Sequence, residues 1–282
     1  MIRGVKGTPT PPPARLLAWR TRQASSRARK AALGLSGLAG LLLLVEVLPY
    51  SGLVSADFLP PTHRIAVALV GELATGAFWS ALWDTLVAWA IGLAIAVVAG
   101  IVVGIVIGAV PVLRALTAST IEFLRPIPSV ALIPLAVLLY GTEIRSTLML
   151  VVYASFWQVL IQVLYGVQDV DPIADETARS YGLGTLARVR CVMWPTALPY
   201  VMTGVRLAAA VALVLAITAQ LVIGAPGLGS RIAVAQTSNA VPNMYALIAV
   251  TGLLGVLINL GARGVERLLL SWHQSVRGEV LV

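Results

Sequence analysis

The sequence predicts an all-α integral membrane protein with about six transmembrane helices, and three observations carry that prediction. Of its 282 residues, 59% are hydrophobic and only 11% are charged, whereas soluble domains are about one-quarter charged. Several apolar stretches reach the roughly 20 residues that one bilayer crossing needs. These stretches are continuous rather than alternating, which favours helices over a closed barrel as the way to pair every backbone polar group.

Apolar runs predict six helices along the chain. The third should be kinked or broken because it contains Pro126, Pro128 and Pro134, and each proline removes a backbone hydrogen bond. Neighbouring helices must then satisfy the freed carbonyl groups. The predicted helices cover residues 33–49, 79–110, 116–140, 147–166, 198–223 and 245–270.

The two ends of the chain are predicted to lie outside the bundle. Residues 1–30 are rich in arginine, lysine and proline, so they cannot bury a core and should form a flexible basic cytoplasmic arm. Residues 31–58 should form the first transmembrane helix, uncleaved, and an outer loop. Residues 273–282 should form a cytoplasmic tail.

The placement of arginine predicts the orientation in the membrane. With the N-terminus inside, the outer loops hold only Arg64, Arg145 and Arg231, and nearly all other basic residues fall inside, as the positive-inside rule requires. Both termini are then cytoplasmic. The net charge of +8 is explained by this topology, so we expect a lipid bilayer and no nucleic acid as the partner of the basic residues.

The second predicted helix carries a stripe of small residues at every fourth position. Because membrane helices associate by close packing rather than by hydrophobic exclusion, such a stripe should let another helix backbone approach. Its members are Gly92, Ala96, Gly100, Gly104 and Gly108.

A polar segment at residues 168–200 interrupts the apolar pattern between the fourth and fifth helices. Asp171 can cap a helix whose first position is Pro172. The helix dipole favours acidic side chains in the first turn, where Asp175 and Glu176 lie. Gly182 can end that helix in the left-handed conformation.

The second half of this polar segment predicts another short helix. It should begin at Thr185 and end before Pro195, which completes a helix-turn-helix outside the bilayer. An alternative is an amphipathic helix resting on lipid headgroups, with Arg188 and Arg190 facing phosphates.

One pattern within the polar segment is long and specific. It consists of Glu176, Thr177 and Ala178, three residues, Gly182, nine residues, and then Val192, Met193, Trp194 and Pro195. It resembles the EAA loop of ABC importer permeases, whose pattern is Glu-Ala-Ala, three residues, Gly, nine residues, Ile, any residue, Leu-Pro. The spacing is complete, and the departures are Thr177, Val192 and Trp194.

Further segments are similar to one branch of that family, the permeases for nitrate, sulfonate, taurine and related small molecules. They are the proline-rich residues 124–128 and 132–134, and residues 197–206 at the start of the fifth helix. The resemblance covers residues 59–272, which implies a permease core of five transmembrane helices with the EAA loop at 168–200. The implied solute is small and sulfonate-, taurine- or nitrate-like.

The resemblance implies that the polar segment sits in a groove of an ATP-binding subunit and transmits its closure to the transmembrane helices. It also implies two ATP-binding subunits, a second permease chain that is either a copy or a paralogue, and an extracytoplasmic solute-binding protein, all at the bacterial plasma membrane. The implied coupling residues are Asp175, Glu176, Thr177, Ala178, Arg179, Gly182, Leu183 and Pro195.

Catalytic chemistry is not expected in this chain. Its only lysines are Lys6 and Lys30, so it lacks the phosphate-binding Gly-x-x-x-x-Gly-Lys-Ser/Thr loop, and ATP and Mg²⁺ should be bound by the partner ATPase. Its only histidines are His63 and His273, and no pair has metal-ligand spacing. We therefore expect a transporter subunit rather than an enzyme; the alternative is a stand-alone secondary transporter or another multi-pass membrane protein.

Polar groups at membrane depth are candidates for function because burying them in lipid costs free energy. Glu122 and Arg125 stand three apart and can pair, and together with Arg206 they are candidate structural or gating ion pairs. Residues 224–244 should form a loop or re-entrant turn on the outer face. The candidates for the substrate path, which interhelical hydrogen bonding explains equally well, are Trp157, Gln158, Gln162, Thr218 and Gln220.

Overall fold

The computed structural model describes residues 32–51, 54, 55 and 57–270. The predicted arm at 1–30 and the predicted tail at 273–282 therefore lie outside the described residues. Contacts divide the chain into two units, Met1–Ala66 and Val67–Val282, and the boundary falls inside helix α2 (Thr62–Leu73).

Five helices of the described part of the chain are long and apolar enough to cross a membrane. The first, α1, occupies Ala32–Ser51 in the N-terminal unit. The other four belong to the second unit: α3 (Gly76–Ala109), α6 (Ile144–Gln168), a helix that includes α9 (Trp194–Ile223), and α11 (Val241–Leu269). The prediction of an all-α membrane fold is confirmed.

A sixth span exists only if two short helices are counted together. Helices α4 (Pro111–Leu124) and α5 (Ile133–Tyr140) are joined through a 3₁₀ turn and bent by 82°. The predicted break is confirmed, although the helix begins at residue 111 rather than 116. The carbonyl of Leu124, freed by the break, accepts hydrogen bonds from the Tyr153 hydroxyl at 2.8 Å and the Ile127 N–H at 3.2 Å.

Helices α3 and α6 pack in parallel along the predicted stripe of small residues. A Cβ added to Gly100 would lie 2.8 Å from the Cβ of Val159, and one added to Gly104 would lie 2.7 Å from a methyl of Val163. Gly92 and Gly108 meet valines of α6 in the same way. The stripe therefore serves close packing, as predicted, and its partner is α6.

Helix α9 covers the other side of α6 in the antiparallel direction. Gly166 of α6 lies against Ala197, where an added Cβ would come within 2.9 Å of the Cα, and Gly204 of α9 lies against Gln162. Buried side chains such as Val159 and Ala208 fill the space between these helices. Helix α6 is thus the central helix, enclosed by α3 and α9.

The polar segment contains α7 (Pro172–Ser180) and α8 (Thr185–Arg188). Helix α8 begins at Thr185 as predicted, but the prediction that it ends before Pro195 is wrong. It continues through one π-helical turn at Val189–Met193 into α9, so 185–223 is one helix. Pro195 has no N–H to donate, and the widened turn, in which Trp194 N–H donates to Val189 five residues back, accommodates the change.

At the opposite end of this bundle, the predicted loop at 224–244 contains a helix, α10 (Leu228–Thr237). Gly224 ends α9 with a φ of +78°, and Gly227 begins α10 with a φ of +146°, a backbone conformation that other residues rarely adopt. Leu228 and Ile232 of α10 are buried against Phe78 of α3. We refer below to the α7 end and the α10 end of the bundle.

Candidate functional site

Both ends of α7 are closed by side-chain and backbone caps, as the sequence predicts. The Asp171 carboxylate accepts the N–H of Ile173 at 2.8 Å. At the other end Gly182 has a φ of +76°, its N–H donates to the carbonyl of Arg179 at 2.8 Å, and Leu183 N–H donates to Ala178 at 3.0 Å. This pair of bonds is the Schellman motif, so α7 has defined ends.

A forked ion pair joins α7 to α8. The guanidinium of Arg188 donates from Nε to one oxygen of Asp175 at 2.8 Å and from a terminal nitrogen to the other at 2.7 Å. Arg179, one turn along α7, lies 3.3 Å from the same carboxylate. The terminal nitrogen also lies 2.6 Å from the first oxygen, and paired charge-assisted bonds of this kind fix orientation as well as distance. The two short helices are therefore held together rather than linked only by a turn.

The surface of this pair of helices is unusually apolar for a polar segment. Ile173, Tyr181 and Leu186 are 72%, 81% and 83% exposed. Glu176, Thr177, Arg179 and Pro195 are also exposed, Leu183 is half-buried, and Ala178 is buried. Along the chain these three residues flank Glu176, Thr177, Ala178 and Gly182 of the EAA-like pattern.

The helix pair is anchored to the membrane bundle at both of its ends. Asp169, directly after α6, accepts a hydrogen bond from the Tyr200 hydroxyl of α9 at 2.9 Å. The backbones of α6 and α9 come into contact at Gly166, just before that bond. On the other side α8 runs into α9 without a break. The α7–α8 pair is therefore connected both to α9 and to the end of α6.

The five candidate path residues do not converge on one cavity. Trp157 belongs to a buried cluster that packs against α3 and α4, and it lines the edge of a groove between α5 and α6. Gln158 and Gln162 lie instead at the seam with α9, beside Gly204. Thr218 lines a separate groove between α9 and α11. The sequence pattern placed these groups at similar depths, but it did not determine the face on which each would lie.

Gln220 is fully buried in a hydrogen-bonded cluster at the α10 end. Its Oε1 lies 2.9 Å from the Thr85 hydroxyl of α3 and accepts the N–H of Gly229 at 3.3 Å. The Thr85 hydroxyl accepts the N–H of Leu228 at 2.9 Å. This cluster ties the start of α10 to α3 and α9 through the amide oxygen of Gln220. The Nε2 of the same side chain is buried and has no hydrogen-bond partner in the described part of the chain.

The candidate ion pairs are resolved differently from the expectation. Within the described residues Glu122 and Arg125 form no ion pair with each other, and both are exposed. Arg125 closes α4 in a helical backbone conformation, so the two exposed side chains share a helix face without pairing. Arg206 forms an ion pair with Glu266 of α11 at 3.1 Å.

A second polar cluster, absent from the candidates named from the sequence, lies at the α10 end. Glu72 of α2 is buried, and its two oxygens are bound by Arg231 of α10 and by Asn243 of α11, the latter at 2.9 Å. One carboxylate thus links three elements. A glutamate in an otherwise apolar stretch was the available signal, but its partners are about 160 residues away in the chain. In the described part of the chain, no cluster of three or more histidine, cysteine, aspartate or glutamate residues could hold a metal ion.

Comparison with known proteins supplies the remaining evidence. Residues 96–271 match the sequence profile of the family described as binding-protein-dependent transport system inner membrane component. The chain is 32% identical over 254 residues to the taurine transport system permease protein TauC of Escherichia coli, covering 88% of this chain and 92% of TauC. It is 32% identical over 155 residues to SsuC of Escherichia coli, named for aliphatic sulfonate transport, covering 55% of this chain and 59% of SsuC. The fold is similar to a chain of the MetNI methionine ABC transporter in inward-facing conformations, with a TM-score of 0.59, 18% identity, and coverage of 68% of this chain and 95% of that one.

Proposed function

This chain belongs to the family of binding-protein-dependent transport system inner membrane components, the permease subunits of ABC importers, and from that premise we propose two finer statements. The first is that α7 and α8 are the coupling element that an ATP-binding subunit grips. The second is that the solute carried across the plasma membrane is a small organosulfonate. Each rests on separate observations and is tested separately.

The forked ion pair between Asp175 and Arg188 is the observation that supports the coupling element. A flexible loop would dissipate a push into conformational entropy, whereas a capped and cross-braced helix pair moves as one body. Its exposed apolar side chains, including Tyr181 and Leu186, offer a partner surface. Its continuity with α9 offers a route into the membrane bundle.

The remaining partners follow from the same proposal. ATP and Mg²⁺ bind to two separate ATP-binding subunits, which contact the α7 end. A second permease chain, a copy or a paralogue, completes the path, and an external binding protein delivers the solute at the α10 end. The arginines support this orientation: Arg179, Arg188 and Arg190 lie at the α7 end, so the α7 end and both termini are cytoplasmic under the positive-inside rule.

The proposed solute class rests on the relatives. One is named for taurine and the other for aliphatic sulfonates, and both solutes carry a sulfonate group. Sequence identities near one-third do not distinguish taurine from other aliphatic sulfonates as the solute. We therefore propose the class of small organosulfonates and neither compound in particular.

Purification and uptake test this proposal together. The tagged chain, solubilised in detergent, should retain an ATP-binding subunit encoded beside it, and proteoliposomes with the binding protein should take up sulfonate only when ATP is present. Glu176→Lys reverses a charge on the exposed face of α7 and should uncouple ATP hydrolysis from uptake without loss of insertion. Asp57→Lys, at an exposed acid of the N-terminal unit, is the matched control. Sulfonate transport by this chain without an ATP-binding subunit would contradict the importer assignment. Wild-type uptake in Glu176→Lys would contradict the coupling assignment.

A further inference from the structure

The start of α10 is fastened to α3 and α9 by side chains of those two helices. The N–H of Leu228 donates to the Thr85 hydroxyl at 2.9 Å. The N–H of Gly229 donates to the amide oxygen of Gln220 at 3.3 Å. The first N–H groups of a helix have no partner within the helix itself, so these two contacts supply the cap. The cap is complete only while α10 stays against α3 and α9.

A second polar contact fastens α10 to α2 and α11. Arg231 forms an ion pair with Glu72 of α2, and the other oxygen of that carboxylate accepts the side-chain amide of Asn243 of α11 at 2.9 Å. The side chain of Glu72 is only 10% exposed. A carboxylate so poorly hydrated is stable only while its partners remain in place. We call these three residues the latch.

Both contacts are incomplete in the position that α10 occupies. The Nε2 of Gln220 and the Nε of Arg231 are buried and have no hydrogen-bond partner in the described part of the chain. Buried donors are nearly always paired in folded proteins, and an unpaired one costs free energy. Water would reach both groups if α10 lifted. The unpaired donors therefore bring a lifted position of α10 closer in free energy to the seated one.

The backbone around α10 favours movement of this helix as a unit. Gly224 and Gly227 before it and Asn239 after it have φ values of +78°, +146° and +55°, so irregular backbone separates α10 from α9 and α11. Hinge residues are commonly such positions at the ends of elements. At Gly229, an added Cβ would lie 2.2 Å from the backbone oxygen of Ile217 on α9. The seated position therefore requires that this residue has no side chain.

We propose that α10 is a lid at the α10 end of the bundle and that the latch holds it shut. Lifting of the lid uncovers Thr85 and Gln220, which are fully buried in the seated position. The proposal rests on the importer orientation proposed above, in which the solute arrives at the α10 end. The lid then opens that end of the path, and the latch sets how readily it opens.

Thiol labelling measures the lid directly. The chain has one cysteine, Cys191, so Cys191→Ser gives a background for single reporters. Ala81→Cys lies in the apolar cluster with Leu228, at a site that is 6% exposed. Ser155→Cys, at a fully buried site where the hydroxyl contacts the Ala208 carbonyl of α9, is the matched control away from the lid. In the complete complex of permease and ATP-binding subunits in nanodiscs, both thiols should react slowly with a small maleimide.

Two variants release the lid by different means. Glu72→Gln removes the charge of the latch, and Gly229→Ala forces a Cβ against the backbone of α9. Each should speed the labelling of Ala81→Cys about tenfold or more, the effect expected for loss of a hydrogen bond to a charged group, and should leave Ser155→Cys unchanged. Gly252→Ala, with open space around it, should change neither rate.

Two results of this labelling would overturn the lid. One is an unchanged rate for Ala81→Cys in both Glu72→Gln and Gly229→Ala. The other is an equal rise for Ala81→Cys and Ser155→Cys, which would show that the variants loosen the whole bundle rather than release α10.

Transport turnover tests whether the lid opens during the cycle. ATP, the binding protein encoded beside this chain and either taurine or hexanesulfonate as the probe should label Ala81→Cys faster than ATP alone. Uptake of the same probes into proteoliposomes is measured in parallel. Uptake while the reporter stays unreactive defeats only the lid, whereas absence of uptake of both probes defeats the proposed function.

Discussion

The forked ion pair between Asp175 and Arg188 is the contact on which the rigidity of the α7–α8 element depends, and its removal gives the sharpest prediction. Two bonds of 2.8 and 2.7 Å join the groups, and the side chains are 28% and 20% exposed. Hydrogen bonds to charged groups contribute about 1.5–3 kcal/mol, and partial exposure places this pair toward the lower part of that range. We therefore expect Asp175→Asn to cost about 2 kcal/mol of docking free energy between α7 and α8, about thirtyfold in the ratio of docked to undocked helix pairs.

Hydrogen exchange and transport measure this effect in one preparation. The backbone amides of α7 should exchange faster in Asp175→Asn, while those of α6 and α9 within the bundle stay unchanged. Uptake per ATP hydrolysed should fall, because an undocked α7 no longer displaces α9. Arg188→Lys keeps the charge but loses the fork, and it should give a smaller effect of the same kind.

A charge exchange supplies the decisive control. Asp175→Arg combined with Arg188→Asp restores opposite charges across the same contact, so it should recover more coupling than either single substitution. Full coupling in Asp175→Asn, or identical exchange rates of α7 in the variant and the natural chain, would refute the inference that this pair braces the element.

Three further predictions follow from close contacts and backbone conformation elsewhere. Gly182→Val forces a β-branched residue to a φ of +76°, which costs about 1–3 kcal/mol, so it should lower uptake while membrane insertion, followed by protease accessibility, stays normal. Gly104→Leu should lower the thermal unfolding midpoint in detergent, because even a Cβ there would lie 2.7 Å from a methyl of α6 and overpacking costs about 1–3 kcal/mol. Gly252→Ala, with open space around it, is the control. Equal midpoints for the two variants would contradict the packing argument. Glu72→Gln should destabilise the α10 end by about 2 kcal/mol, measured by the same thermal unfolding midpoint. Adding Arg231→Gln to it should lower the midpoint little further. Additive losses would show that the two residues do not act as a pair.

Local chemistry made the α7 region predictable in detail. Asp171, Pro172 and Gly182 act through caps and dihedral preferences that depend only on neighbouring residues, and each is found where the sequence places it. The break in the third helix follows in the same way from its prolines. The π-helical turn before Pro195 was not predictable, because a helix interrupted by proline can end or widen, and the packing of α9 on α6 decides between the two.

The candidate path residues show the limit more clearly. Spacing shows that Gln158 and Gln162 share a helix face, but it does not show whether that face meets α9 or an open groove. Arg145, an outer-loop arginine by sequence, proves to line the groove with Trp157. Arg188 forms its ion pair with Asp175, thirteen positions away. The geometry of the intervening turn could not be read from the residue pattern.

The sequence by itself determined that this protein is a helical membrane bundle, where most of its helices lie, and how α7 begins and ends, because hydropathy, caps and prolines act over a few residues. Tertiary structure alone decided which polar side chains meet. Glu72 meets Arg231 and Asn243, and Gln220 meets Thr85. These groups are far apart in the chain, so whether they meet depends on how the helices pack against one another, and that packing is a property of the whole bundle.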